Sequence, residues 1–193
     1  MTYTELGEFM NIAWILLYFL VINGLEIVIF FKVDGIGLTF ERIFKAFLLK
    51  FLLGAIFATF QFLDVSEYLS YFIEPLFGIC LSFLLLRGLP KKLLFFYGLF
   101  PIVLMDLFYR SVSYFVFPFL GQGIVDGDGN PLFLLIMLFV CFIVLVFLKW
   151  LDYDFTRLRK EFLDKGFQQS LTKINWIMGA YFLVMENLSY FEY

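Results

Sequence analysis

The apolar residues of this chain fall in long runs, unlike the stripe of a soluble surface helix or the alternation of a half-buried strand. A helix crossing the hydrocarbon of a bilayer needs about 20 mostly apolar residues. Six runs approach that template: residues 11–31, 46–63, 68–86, 93–109, 132–148 and 174–188. The second has Lys50 one turn inside its start, and Asn175, Glu186 and Asn187 shorten the apolar part of the sixth. No period repeats along the chain, and no Gly/Ser-rich linker divides it. The expected architecture is all-α: one polytopic integral membrane domain, residues 1–193, forming a helical bundle of six transmembrane helices.

The connectors set its orientation, because lysine and arginine are retained on the cytoplasmic side while acidic residues carry little weight. Lys32, Arg42, Lys45 and Lys50 follow the first run or enter the second, and Arg87, Lys91 and Lys92 follow the third. Lys149, Arg157, Arg159, Lys160, Lys165 and Lys173 follow the fifth. With six spans, 13 of the 14 basic residues share one side, and Arg110 alone lies opposite. One span more or fewer would scatter them over both faces. The N-terminus is therefore expected outside, as are the last residues. No basic stretch precedes the first run, so that run is expected to remain in the mature protein.

Composition sharpens this picture. With 63% hydrophobic residues and 23% aromatics, the chain exceeds what one soluble core buries, so the lipid bilayer is its expected partner. A formal net charge of −3 offers no uniformly basic surface to a nucleic acid. The chain has no histidine, which excludes a Ser/His/Asp triad, a Cys/His protease, an HExxH zinc site and a phosphoacceptor histidine. No catalytic residue, metal or cofactor is expected. Cys80 and Cys141 sit inside apolar runs, as packing residues do.

The long polar connector, residues 149–173, places Leu151, Phe155, Leu158 and Phe162 at helical spacing among basic residues. That spacing suits a helix on the inner membrane surface, near anionic headgroups, or a short solvated helix joining two spans. Gly166 is expected to end or bend it.

Ionisable residues within spans are costly in hydrocarbon and must face a partner, a cavity or the interface. Glu26, Lys50, Glu74, Asp106 and Glu186 are such residues. Asp106 and Arg110, four apart, share a helix face as an expected ion pair. Glu26 and Lys50 match in depth and pair across the first hairpin, unless Lys50 snorkels to the inner headgroups. Pro75 follows Glu74 early in the third span, and Pro101 is expected to kink the fourth.

Residues 110–131 form the expected outer connector, with Tyr114, Phe115, Phe117, Pro118 and Phe119 in an aromatic run before a Gly- and Asp-rich turn. Two readings stand: anchoring at the membrane interface, or docking of an amphipathic peptide on the aromatics, with Asp126 and Asp128 at the rim. Asp126, Asp128 and Asn130 share the first half of a calcium-loop pattern, but Pro131 takes the glycine position and Met137 that of the bidentate glutamate. Gly121-Gln122-Gly123 follows no strand and opens no phosphate-binding helix, so it reads as a turn.

The run RGLPKKLLFFYGLFPIVLMDLFYRSVSYFVFPFLG, followed by GQGIVDGDGNPLFLLIMLFVCFIVLVFLKWLDYDFTRLRKEFLDKGFQQSLTKINW, resembles the N-terminal sensor region of streptococcal peptide-pheromone histidine kinases. The bacteriocin-locus (Blp) type is the nearest, with the competence (Com) and accessory-regulator (Agr) receptors as wider relatives. The resemblance is specific over residues 87–176 and weaker before them. It implies quorum sensing through a two-component system: a multi-pass domain in the plasma membrane of a Gram-positive bacterium binds a secreted peptide pheromone outside and transmits a helix rearrangement inward. It also implies a homodimeric parent kinase that controls bacteriocin production, and a further span after Tyr193 leading to the kinase domain. Neither the phosphoacceptor helix nor the ATP-binding domain lies in these 193 residues, so the resemblance implies a sensor region alone and transfers no catalytic residue. The rival expectation is a small six-span transporter or substrate-capturing membrane subunit, which needs small-residue helix faces and a polar pocket. The first run offers bulky Trp14, Leu16, Leu17, Phe19 and Leu20 instead.

Overall fold

A computed structural model describes residues 3–62, 72–120, 131–151, 159–160, 162 and 164–191. Among these residues the chain is all-α, with six long helices and no strand. They are α1 (Tyr3–Val33), α2 (Phe40–Phe62), α3 (Ile73–Leu85), α4 (Lys91–Leu120), α5 (Pro131–Trp150) and α6 (Lys165–Phe191). The described part of each apolar run falls on one helix, with Phe72 and Leu86 flanking α3. The stretch Lys91–Val112 is the one described segment long and apolar enough, by length and composition, to cross a membrane; Ile73–Leu85 and Leu134–Trp150 are apolar but shorter.

Local chemistry sets the helix ends. Beyond α1 the N–H of Ile36 reaches the carbonyl of Phe31 at 2.8 Å and that of Gly35 the carbonyl of Lys32 at 3.4 Å. With Gly35 at φ 61°, this is a Schellman stop, and it folds Ile36 back onto the core. In α3, Pro75 stands in the first turn, where its missing N–H has no carbonyl to serve. Described α3 therefore begins at Ile73, inside the expected 68–86, and residues 68–71 lie outside the described residues. Gly88, at φ 94°, turns the chain before α4, where the N–H groups of Leu93 and Leu94 bond to the Pro90 carbonyl.

Two stretches differ in local structure from what their composition suggests. The aromatic run from Tyr114 to Phe119, in the expected outer connector, is helical and forms the last turns of α4, which continues through Pro101 and Pro118 to Leu120. Gly166 does not end a helix; it lies in the first turn of α6, where Asp164 Oδ1 accepts its N–H at 3.0 Å as an N-cap. In the expected surface helix, Phe155 and Leu158 lie outside the described residues.

Helix α4 is the hub, packing against α1, α3, α5 and α6, while α2 packs on α1 and α3. One apolar core gathers Val33, Tyr97, Leu104, Val140, Val144 and Leu171 around α4; a second joins Phe30, Phe31, Ala46, Phe77 and Leu81 between α1, α2 and α3. The α3–α4 hairpin is the closest crossing. A Cβ added at Gly98 would lie 2.7 Å from Ile79 Cα, and one at Gly78 would overlap the Gly98 carbonyl oxygen. Buried Ser82, four residues after Gly78, sends its hydroxyl to the Leu94 carbonyl at 2.7 Å.

Outward faces are strongly apolar. Phe44, Leu48, Phe51 and Leu52 on α2, Leu135, Leu138, Phe139 and Phe142 on α5, and Ile177 and Val184 on α6 are exposed. Their counterparts inside include the buried polar residues Asn23, Asp34, Lys50 and Ser82.

Candidate functional site

Three polar clusters interrupt the apolar packing. In the first, Lys50 of α2 stands between two acids: it donates to Glu26 Oε2 of α1 at 2.8 Å and to Glu74 Oε2 of α3. Its Nζ lies 4.6 Å from the Phe77 ring centroid. The expected Glu26–Lys50 pair is thus one edge of a triad, and snorkelling is replaced by burial. Glu74, beside Pro75 in the first turn of α3, is the partner from the third helix.

The second cluster holds the expected Asp106–Arg110 pair, with Arg110 Nε 2.8 Å from Asp106 Oδ2. The spacing did not reveal its third member: Tyr181 of α6 donates its hydroxyl to the same oxygen at 2.7 Å. Nothing marked Tyr181 in the sequence, since it is one of 11 tyrosines.

The third cluster, unforeseen as a site, closes one end of the bundle. Arg159, from the α5–α6 connector, donates from Nη2 to the backbone carbonyl of Asp34 at 3.1 Å, and its guanidinium carbon lies 5.5 Å from the Tyr97 ring centroid. Asp34 is fully buried, and neither of its carboxylate oxygens has a hydrogen-bond partner among the described residues; nor has Arg159 Nε. Burial pushes the Asp34 carboxyl well above the usual carboxylate range, with Arg159 offsetting part of the rise. On the exposed start of α2, by contrast, the hydrogen bond and charge of Lys45 hold Glu41 below its ordinary value. Nearby, Asn175 of α6 donates to the Lys92 carbonyl at the start of α4 at 2.8 Å. These contacts bring the α1–α2 and α5–α6 connectors together, and the start of α4 against the early part of α6. The basic regions in and flanking the α1–α2, α3–α4 and α5–α6 connectors therefore share one end.

At the other end of α4, Tyr114, Phe115 and Phe119 are 76%, 68% and 89% exposed, with the first two rings in edge-to-face contact at 5.4 Å. Phe117 lies in the same helical segment, its side chain outside the described residues, as are Asp126 and Asp128 altogether and the side chain of Glu186. Cys80 and Cys141 are both free, on α3 and α5. Among the described residues no group of three His, Cys, Asp or Glu side chains converges as a metal site would require. The arrangement is an apolar bundle with polar clamps at separate heights and an open aromatic end.

Compared with known proteins, the chain matches no family model, no curated protein and no solved structure.

Proposed function

We propose that this chain is the membrane-embedded sensor region of a peptide-responsive two-component system, a six-span bundle with its N-terminus outside. It binds a secreted peptide at the outer end of α4 and passes the event inward as a shift of helices. Support for the membrane reading comes from the apolar outward faces, where large hydrophobics such as Phe51 and Leu52 of α2 and Phe139 and Phe142 of α5 stand exposed side by side. Clustering of the basic connectors at one end supports the orientation.

The observation carrying the sensor reading is the continuity of α4. One 30-residue helix, about 45 Å long at 1.5 Å per residue, joins the exposed aromatics to Tyr97 beneath Arg159. A ligand that grips Tyr114, Phe115 and Phe119 would act on the helix against which four others pack. Saturable binding of a secreted peptide encoded at the same locus, measured on the purified chain in nanodiscs, tests the reading; no saturable binding to any such peptide removes it.

A second reading, a small six-span transporter or substrate-capturing subunit, is favoured by two observations: the Glu26–Lys50–Glu74 triad and the Gly78–Gly98 small-residue crossing. Uptake of labelled substrate by cells or vesicles carrying the chain distinguishes it.

A further inference from the structure

The triad holds two carboxylates and one ammonium, drawn from three helices. Lys50 has a partner for each of its three N–H groups: Glu26, Glu74 and the face of Phe77. A lysine held in this way stays charged. With both glutamates ionised, the group would carry one negative charge in excess, which is costly at bilayer depth.

A metal cation or a proton would cancel that charge. A hard cation requires about six or more oxygen ligands. Here each glutamate already turns one oxygen to Lys50, and no third acid joins them among the described residues. A proton needs one oxygen. Glu74 stands in the first turn of α3, where unpaired N–H groups and the helix dipole favour an anion, and its side chain is 44% exposed. Glu26 lies in the C-terminal third of α1, far from its N-terminus, and is 27% exposed.

We propose that Glu26 is a proton-binding site. Its neutral carboxyl still accepts a hydrogen bond from Lys50, while Glu74 remains the counter-ion. The titratable groups facing it among the described residues are Lys50 of α2, Glu74 of α3 and, within electrostatic reach, the Cys141 thiol of α5. The proposal rests on the membrane-embedded reading and not on peptide reception.

The test is treatment of the full chain in nanodiscs with dicyclohexylcarbodiimide, which attacks protonated carboxyls in apolar surroundings, followed by peptide mass spectrometry. The expected adduct is on Glu26, falling about tenfold for each unit of pH above its titration. Glu74→Gln leaves Glu26 intact but removes the excess charge, so labelling of Glu26 drops about tenfold or more, the effect of at least one pH unit. Glu74→Asp, which keeps the charge, retains the labelling. Lys50→Met brings the adduct onto Glu74 as well. Size-exclusion chromatography and far-UV circular dichroism select the folded variants. An adduct confined to Glu74, labelling of Glu26 indifferent to Glu74→Gln, or no adduct at any pH overturns the proposal. A separate cysteine-accessibility scan that finds positions 91 and 160 on opposite faces would instead overturn the membrane reading.

Discussion

Lys50 of α2 and Glu26 of α1 meet at 2.8 Å with the lysine almost wholly buried, so two neighbouring helices are joined by a hydrogen bond from an ammonium group and not by packing alone. Glu74 extends the link to α3. Breaking a buried pair from one side strands the remaining charge, at a cost of about 3–5 kcal/mol. Lys50→Met is therefore expected to destabilise the bundle by about 3 kcal/mol in detergent unfolding. The triple change Lys50→Met, Glu26→Gln, Glu74→Gln should recover most of the loss, because no uncompensated charge is left. Equal instability of the single and triple variants would show that Lys50 acts through packing instead.

Asp34 makes stability depend on pH in the unusual direction. Its carboxyl holds its proton more tightly in the folded chain than when unfolded, because burial disfavours the anion. Below the ordinary value of 3.8 both states are protonated and the contribution is greatest. As pH rises above that value, the unfolded state releases its proton first, and stability falls until the folded carboxyl titrates too. Asp34→Asn should flatten this slope in thermal unfolding measured from about pH 4 to about pH 8. Arg159→Met, which removes the neighbouring positive charge, should extend it to higher pH. An unchanged profile in Asp34→Asn would assign the slope to other groups.

The α3–α4 crossing tolerates no side chain at Gly78 or Gly98, where an added Cβ meets backbone of the facing helix. Gly98→Ala must push the helices apart and is expected to cost about 2–4 kcal/mol. Gly54 supplies the control: it is helical, and a Cβ there meets nothing within 4 Å. Gly54→Ala should stabilise α2 by up to about 1 kcal/mol. Unfolding midpoints of the two variants should therefore move in opposite directions.

Much of this architecture is legible in the sequence because apolar runs and their breaks follow from local preferences. The described part of each run lies on a helix, and Asp106–Arg110 pairs as the i,i+4 spacing requires. Contacts across long sequence separations were less accessible. Spacing matched Glu26 and Lys50 by depth, but the third corner of the triad depended on where α3 starts, which Pro75 decides. The interval from Gly78 to Ser82 is a small-xxx-small signal that would have pointed to the close crossing. Asp34, Arg159 and Tyr97 meet across more than a hundred residues of chain, and no periodicity reports such a meeting. The helical extension of α4 beyond its apolar stretch was not legible for a different reason: the polar residues after Arg110 suggest an exit from the membrane, and leaving lipid does not require a helix to stop.

The last prediction separates binding from transmission along α4. Tyr114, Phe115 and Phe119 are exposed and bear little of the core packing, so alanine at these positions should leave stability within about 0.5 kcal/mol, as surface changes usually do. If they grip the peptide as anchors, each truncation should weaken binding by about 1–2 kcal/mol, or roughly five- to thirtyfold. Tyr97 lies 17 residues earlier on the same helix, about 25 Å away, too far to touch the same ligand. Arg159 over Tyr97 joins this inner end to the Asp34 turn of α1. Arg159→Met should therefore leave peptide affinity within about twofold, a binding change of less than 0.5 kcal/mol, while suppressing the ligand-induced distance change between spin labels on the α1–α2 and α3–α4 connectors. Loss of both affinity and response would make Arg159 part of the fold and not of the coupling. Retention of both would move the inward path to another contact, with Tyr181 against Asp106 the next to test.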